Sequence, residues 1–171
     1  MKMLAEETKT GTLELLLTKS VSDKQLVIGK FLASLLLVCI ALAATLPYII
    51  TVASIGNLDD GGTICGYLAL LLMSMVYTAI GIFTSSITSN QIVAFMSALL
   101  ISLFFHIIFD VLANNFTGFW GSLYHRLSLQ THFESISRGV IDSQDLVYFI
   151  SITVFSLFLA EWSLSKRHFQ K

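Results

Sequence analysis

Apolar and polar positions divide this chain into long uncharged runs separated by short polar punctuation. Three runs hold no charged residue: 31–56, 61–109 and 146–160. A helix needs roughly 20 apolar residues to cross a bilayer. The first run fits one crossing. The second is long enough for two, divided by the polar stretch Thr84-Ser85-Ser86-Ile87-Thr88-Ser89-Asn90-Gln91. The third reaches spanning length by continuing through Trp162 to Leu164. The pattern predicts an all-α multi-pass membrane protein with four crossings, near 26–53, 64–86, 90–112 and 145–164.

The polar punctuation predicts where helices start. Ser22-Asp23-Lys24-Gln25 is a capping box, with Val21 and Leu26 placed as a hydrophobic staple. Thr88-Ser89-Asn90-Gln91 repeats the device between Ile87 and Ile92, and Thr131-His132-Phe133-Glu134 has the same form. Asp142 to Asp145 is an acidic version, flanked by Ile141 and Leu146. Each supplies acceptors for backbone N–H groups that a helix start leaves unpaired.

Ahead of Ser22 there is room for a separate short helix over 12–18. Thr12 can cap it, and Glu14 lies in its first turn, where negative charge suits the helix dipole. Leu13, Leu16 and Leu17 share one face, and Glu14 and Lys19 lie on the other side. This predicts an amphipathic helix along the membrane surface, either as an anchor or as a docking surface. Pro47 near the far end of the first crossing predicts a kink or local unwinding. Residues 113–144 form an outer segment with Phe116, Phe119, Trp120, Tyr124 and Phe133. Thr131 to Arg138 reads there as a short helix that Gly139 ends. Trp and Tyr favour the bilayer interface, so this segment is expected to lie on or dip into the outer leaflet.

Composition agrees. Hydrophobic residues make up 55% and charged residues 12%, against about 25% charged in an ordinary soluble domain. The net charge of −1 hides an asymmetry. Lys2, Lys9, Lys19, Lys24 and Lys30 precede or open the first crossing, and Lys166, Arg167 and Lys171 follow the last. Four crossings put both termini on one side, which then holds all Lys and Arg except Arg126 and Arg138. The positive-inside rule makes that side the cytoplasm and the cell membrane the expected location. The first outer loop, with Asp59 and Asp60 and no basic residue, fits. The first 25 residues carry charge and lack the early apolar core of a secretory signal.

Candidate chemistry is sparse. His106 and Asp110 lie four apart on the third crossing and so share a face. Intramembrane ionisable groups are costly. A mutual hydrogen bond or helix contact, a proton or substrate contact, and a metal site shared with His125 or His132 are the readings open to them. Glu161 reads as an interface residue or a partner for Lys166. Cys39 and Cys65 read as packing thiols, and two cysteines define no metal site. Gly29-Lys30 is followed by Phe31, with no glycine five residues earlier, so it is no phosphate-binding loop. No nucleophile elbow, zinc-protease motif or nucleic-acid-binding stripe occurs. The chain is expected to be no enzyme and to need no cofactor or metal.

Two segments resemble the membrane-spanning subunit of ABC type-2 exporters. One is Leu4-Ala5-Glu6-Glu7 with Gly11-Thr12-Leu13-Glu14-Leu15-Leu16-Leu17-Thr18, Val21-Ser22-Asp23 and Gly29-Lys30-Phe31. The other is His132-Phe133-Glu134-Ser135, Arg138-Gly139-Val140-Ile141-Asp142 and Asp145-Leu146-Val147-Tyr148-Phe149. Ser89-Asn90-Gln91-Ile92-Val93-Ala94-Phe95 is similar to the family as well. The resemblance is nearest to gliding-motility-associated permeases.

The resemblance implies that Gly11 to Val21 is a coupling surface touched by a separate ATP-binding subunit, with Glu6 and Glu7 on the preceding stalk. Within it Gly11, Thr12, Leu13, Glu14, Leu16, Leu17, Thr18 and Val21 are the contact candidates. It implies a second permease subunit, alike or different, and a lipid membrane as surroundings. Phe133, Glu134, Arg138, Gly139 and Asp142 would belong to short outer helices before the last crossing. The implied layout is one membrane domain: coupling region 1–25, three membrane helices 26–112, outer segment 113–144, last membrane helix 145–164 and tail 165–171. The family has six membrane helices, so the chain is expected to lack the first two. The other functional classes consistent with the residues are a non-transporting scaffold and an ion or proton channel using His106 and Asp110.

Overall fold

The computed structural model describes residues 22–169, the last three by backbone alone. All elements among these residues are helical: α1 (Asp23–Ala43), α2 (Leu46–Ile55), α3 (Asp60–Ile87), α4 (Gln91–Leu103), a π turn (Phe104–Ile108), α5 (Phe109–Asn115), α6 (Phe119–Leu127), α7 (Leu129–Ser137) and α8 (Ser143–Phe169). Four stretches are long and apolar enough to cross a membrane: Asp23–Ile55, Asp60–Ile87, Gln91–Asn115 and Ser143–Lys166. They match the four expected crossings, each a few residues longer. The expected surface helix over 12–18 lies outside the described residues.

The helix starts obey local chemistry, though not always at the expected residue. At α1 the box forms in both directions. Ser22 Oγ accepts from the Gln25 N–H (3.3 Å), and Gln25 Oε1 accepts from the Ser22 N–H (3.2 Å). At α4 the cap moves to Asn90, whose Oδ1 accepts from the Ile92 N–H (3.0 Å), while Thr88 Oγ1 accepts from Asn90 N–H (3.1 Å). At α7 it moves back to Ser128, whose Oγ accepts from the Thr131 N–H (3.3 Å). Thr131 therefore lies inside the helix rather than at its start. The earlier start lets Leu129 and Ile136, seven residues apart, bury on one face. At α8 Asp142 Oδ1 accepts from the Gln144 N–H (3.1 Å).

The first crossing unwinds locally before Pro47, one of the two outcomes its position predicts. α1 ends at Ala43, and α2 begins at Leu46 with Pro47 in its first turn. Proline has no N–H to give, which is harmless at a helix start. Thr45 Oγ1 bonds the Leu42 carbonyl and the Tyr67 hydroxyl, each at 2.6 Å, so the break is held by side chains.

The chain packs as two compact units that share the long helices. Among the described residues, one takes those up to Ser34, Val76–Leu103 and those from Ser151 on; the other takes Leu35–Met75 and Phe104–Ile150. Along α3 the buried residues Cys65, Ala69, Leu72, Val76, Ala79 and Ile80 form a single stripe at three- and four-residue spacing. In the first unit Ala79, Ala94, Ala98, Ala160, Ser85 and Ser86 are buried. Small residues let helix backbones approach closely where lipid offers no hydrophobic drive to pack. There Ser163 Oγ donates to the Ser86 carbonyl (3.3 Å), and Lys24 Nζ lies 3.7 Å from Glu161 Oε1. The start of α1 and the ends of α3 and α8 therefore meet at one end of this unit. Glu161 thus pairs with Lys24, and Lys166 instead lies 3.7 Å above the Trp162 ring.

Outward faces stay apolar. Leu37, Ile50, Ile92, Val154 and Phe158 are all more than half exposed. Such continuous apolar surface suits lipid or another membrane helix. Cys65 packs in the α3 stripe as expected, whereas Cys39 is exposed.

Candidate functional site

Polar chemistry in the second unit gathers where α5, α6, α7 and the start of α8 come together. Aromatic rings fix α6 against the end of the third crossing. Tyr124 meets Phe109 (6.2 Å), Phe116 (6.0 Å) and Trp120 (6.3 Å), ring centre to ring centre. Phe119 and Trp120 are exposed, as expected of an interfacial segment. Residues 113–144 hold two short helices, α6 and α7, of which the residue pattern alone had placed the second.

The junction of α6, α7 and α8 is a clamp around His132. Its Nδ1 lies 2.6 Å from Asp145 Oδ1, and its Nε2 lies 3.0 Å from the Arg126 carbonyl. Tyr148, one turn beyond Asp145, stacks on the imidazole at 4.0 Å and donates its hydroxyl to the Leu127 carbonyl. The Arg126 carbonyl can only accept, so Nε2 carries a hydrogen. Asp145 then meets either a protonated Nδ1, as an imidazolium–carboxylate pair, or gives its own proton to a bare one. Asp145 is 5% exposed, and its Oδ2 has no hydrogen-bond partner among the described residues.

This clamp forms one wall of a polar cleft of about 750 Å³, lined by Asp110, Asn114, His125, Thr131, His132, Glu134, Ser135, Arg138, Val140, Asp142, Gln144 and Asp145. Four of these residues are sequence candidates, Asp110, Glu134, Arg138 and Asp142, and Thr131, His132 and Asp145 come from the predicted helix starts. Glu134 accepts from Gln130 Nε2 (2.6 Å) and pairs with Arg138 one turn on (3.9 Å). Asp110 accepts from Asn114 Nδ2 (3.4 Å). Among the described residues no three His, Cys, Asp or Glu side chains are grouped to hold a metal ion.

The remaining candidates are spread out. His106 is half-buried in the π turn and is not among the cleft-lining residues. The turn adds a residue to the helical repeat just before Asp110, which shifts the shared face that α-helical spacing predicts. Phe133 is half-buried on α7. Gly139 ends α7 as expected, with φ +89°, and approaches the start of α3 so closely that an added Cβ would lie 3.5 Å from Gly62 N. Glu6, Glu7, Gly11, Thr12, Leu13, Glu14, Leu16, Leu17, Thr18 and Val21 lie outside the described residues.

The model of the ABC-2 family transporter protein matches residues 1–164. The chain belongs to the ABC-2 transporter family. It is a membrane protein and a permease component of an ABC transporter, and such permeases normally work with an ATP-binding subunit. No curated protein and no solved structure matched it.

Sequence reading of this ABC-2 permease missed the His132–Asp145–Tyr148 clamp. Thr131, His132 and Asp145 had been read as parts of two capping motifs. The available signal was the i, i+3 pair Asp145 and Tyr148 on one helix face, opposite a histidine on the preceding helix.

Proposed function

We propose that this permease moves its substrate outward using ATP hydrolysed on a separate subunit that docks on residues 12–18. Glu6 and Glu7 sit on the stalk before that surface, and both termini face the cytoplasm of the cell membrane. A second permease subunit completes the path. The domain layout is that of the implied family pattern, and the nearest branch is the gliding-motility-associated one.

The observation that carries this reading is the family match, which includes residues 12–18. Two features described above support it mechanically. The reciprocal Ser22–Gln25 box starts α1 as a fresh rigid helix directly after the docking surface. The Lys24–Glu161 pair links that start to α8. A push at residues 12–18 then reaches two membrane helices together.

The test is co-expression with the products of its neighbouring genes, among which an ATP-binding subunit is expected. The two co-purify, and replacing Leu16 and Leu17 by Asp abolishes the complex while the permease stays in the membrane. Failure of the intact pair to co-purify would sink the proposal.

A further inference from the structure

The cleft carries four carboxyl groups, Asp110, Glu134, Asp142 and Asp145, against the Arg138 guanidinium and the one proton that His132 and Asp145 share, which leaves the lining net negative. Three of the carboxylates already have partners: Asn114 for Asp110, Gln130 and Arg138 for Glu134, and the Gln144 N–H for Asp142. Asp145 is different. Its Oδ1 is held by His132, while its buried Oδ2 accepts from nothing among the described residues. A buried acceptor left without a donor is costly, and native proteins rarely leave one so.

We infer that the cleft binds a primary ammonium group. Its N–H donors complete Asp145 Oδ2, and its charge offsets Asp110 and Asp142. The acceptor requires a donor, so a quaternary ammonium, which has no N–H, does not qualify. The net negative lining requires a cation. Oδ2 is buried, so the donor that completes it must be compact. An ammonium is a compact point charge, unlike the planar guanidinium. The volume of about 750 Å³ falls within the roughly 300–1,000 Å³ of small-molecule pockets. Asp110 and Asp145 lie near the ends of two stretches long and apolar enough to cross a membrane. The amine can belong to an ethanolamine lipid headgroup or to a free soluble amine. The inference is independent of ATP-driven transport and stands if no ATPase docks.

The full chain purified in detergent is titrated by calorimetry with dihexanoyl phosphatidylethanolamine, dihexanoyl phosphatidylcholine and free ethanolamine. Saturable binding of the ethanolamine lipid, about tenfold tighter than the choline lipid, is expected, as loss of one charge-assisted hydrogen bond predicts. Asp145→Asn turns an acceptor into a donor and weakens binding by a similar factor. Asp142→Asn keeps the helix cap, since asparagine caps as well as aspartate, and also weakens binding; it decides the matter if Asp145→Asn does not fold. Free ethanolamine binding as tightly as the lipid assigns a soluble amine, and binding of the lipid alone assigns a headgroup. Equal binding of the two lipids, no saturable binding of either amine, or unchanged affinity in a folded variant overturns the inference.

Discussion

His132 and Asp145, thirteen residues apart, face each other at 2.6 Å and join α7 to the start of α8. Both side chains are mostly buried, at 14% and 7% exposure. Removing His132 leaves the buried Asp145 carboxylate without its one side-chain partner among the described residues. His132→Ala is expected to destabilise the fold by about 3 kcal/mol, the scale for breaking a buried pair by deleting one partner. Thermal unfolding of the purified protein in detergent checks this; an unchanged midpoint would mean that the pair is not formed.

Tyr148 makes two separable contacts, its stack on His132 and its bond to the Leu127 carbonyl. Tyr148→Phe keeps the ring and loses only the hydroxyl, so about 1 kcal/mol is expected. Tyr148→Ala removes both and is expected to cost about 3 kcal/mol or more. Equal losses in the two variants would show that the ring contributes nothing.

Two glycines are expected to resist substitution for different reasons. A Cβ at Gly121 would lie 2.0 Å from the Phe116 carbonyl oxygen, a backbone atom that cannot step aside. Gly121→Ala should therefore force α6 away from Phe116 and weaken the Tyr124 ring cluster. Gly139 holds φ +89°, where a side chain costs about 1–2 kcal/mol. Differential scanning of both variants tests the ranking, with Gly121→Ala the lower-melting.

How much of this was legible follows from the kind of signal each feature leaves. Membrane crossings leave runs of roughly 20 apolar residues, and all four were readable. The Ser22 box was readable because Ser22 and Gln25 satisfy each other locally. The α7 start was misread at Thr131 because Ser128 offers an equally good cap, and burial of Leu129 and Ile136 selects the earlier start. The break before Pro47 was foreseen as a distortion, but its support by Thr45 and Tyr67 depends on a contact between residues 22 positions apart. The cleft was half visible: Asp110, Glu134, Arg138 and Asp142 were singled out, while its deepest carboxylate, Asp145, was taken only for a helix cap. Its pairing with His132 depends on the turn between α7 and α8, which no local pattern encodes.

The Lys24–Glu161 pair separates stability from coupling. Lys24 is 70% exposed, so the pair adds about 0–1 kcal/mol to stability. Lys24→Glu is expected to leave the melting temperature nearly unchanged while lowering transport driven by the ATP-binding subunit. The double swap, Lys24→Glu with Glu161→Lys, should restore transport. A swap that stays defective would show that the pair does not transmit motion from α1 to α8.

The central claim is that a separate ATPase works through residues 12–18. The most direct measurement places a photo-crosslinking residue at Leu16 in cells that co-express the ATP-binding subunit. A covalent adduct between the two proteins on irradiation, lost when the probe is moved to outward-facing Phe158, is the predicted result. No adduct from position 16, with both proteins present in the same membrane, would contradict the account.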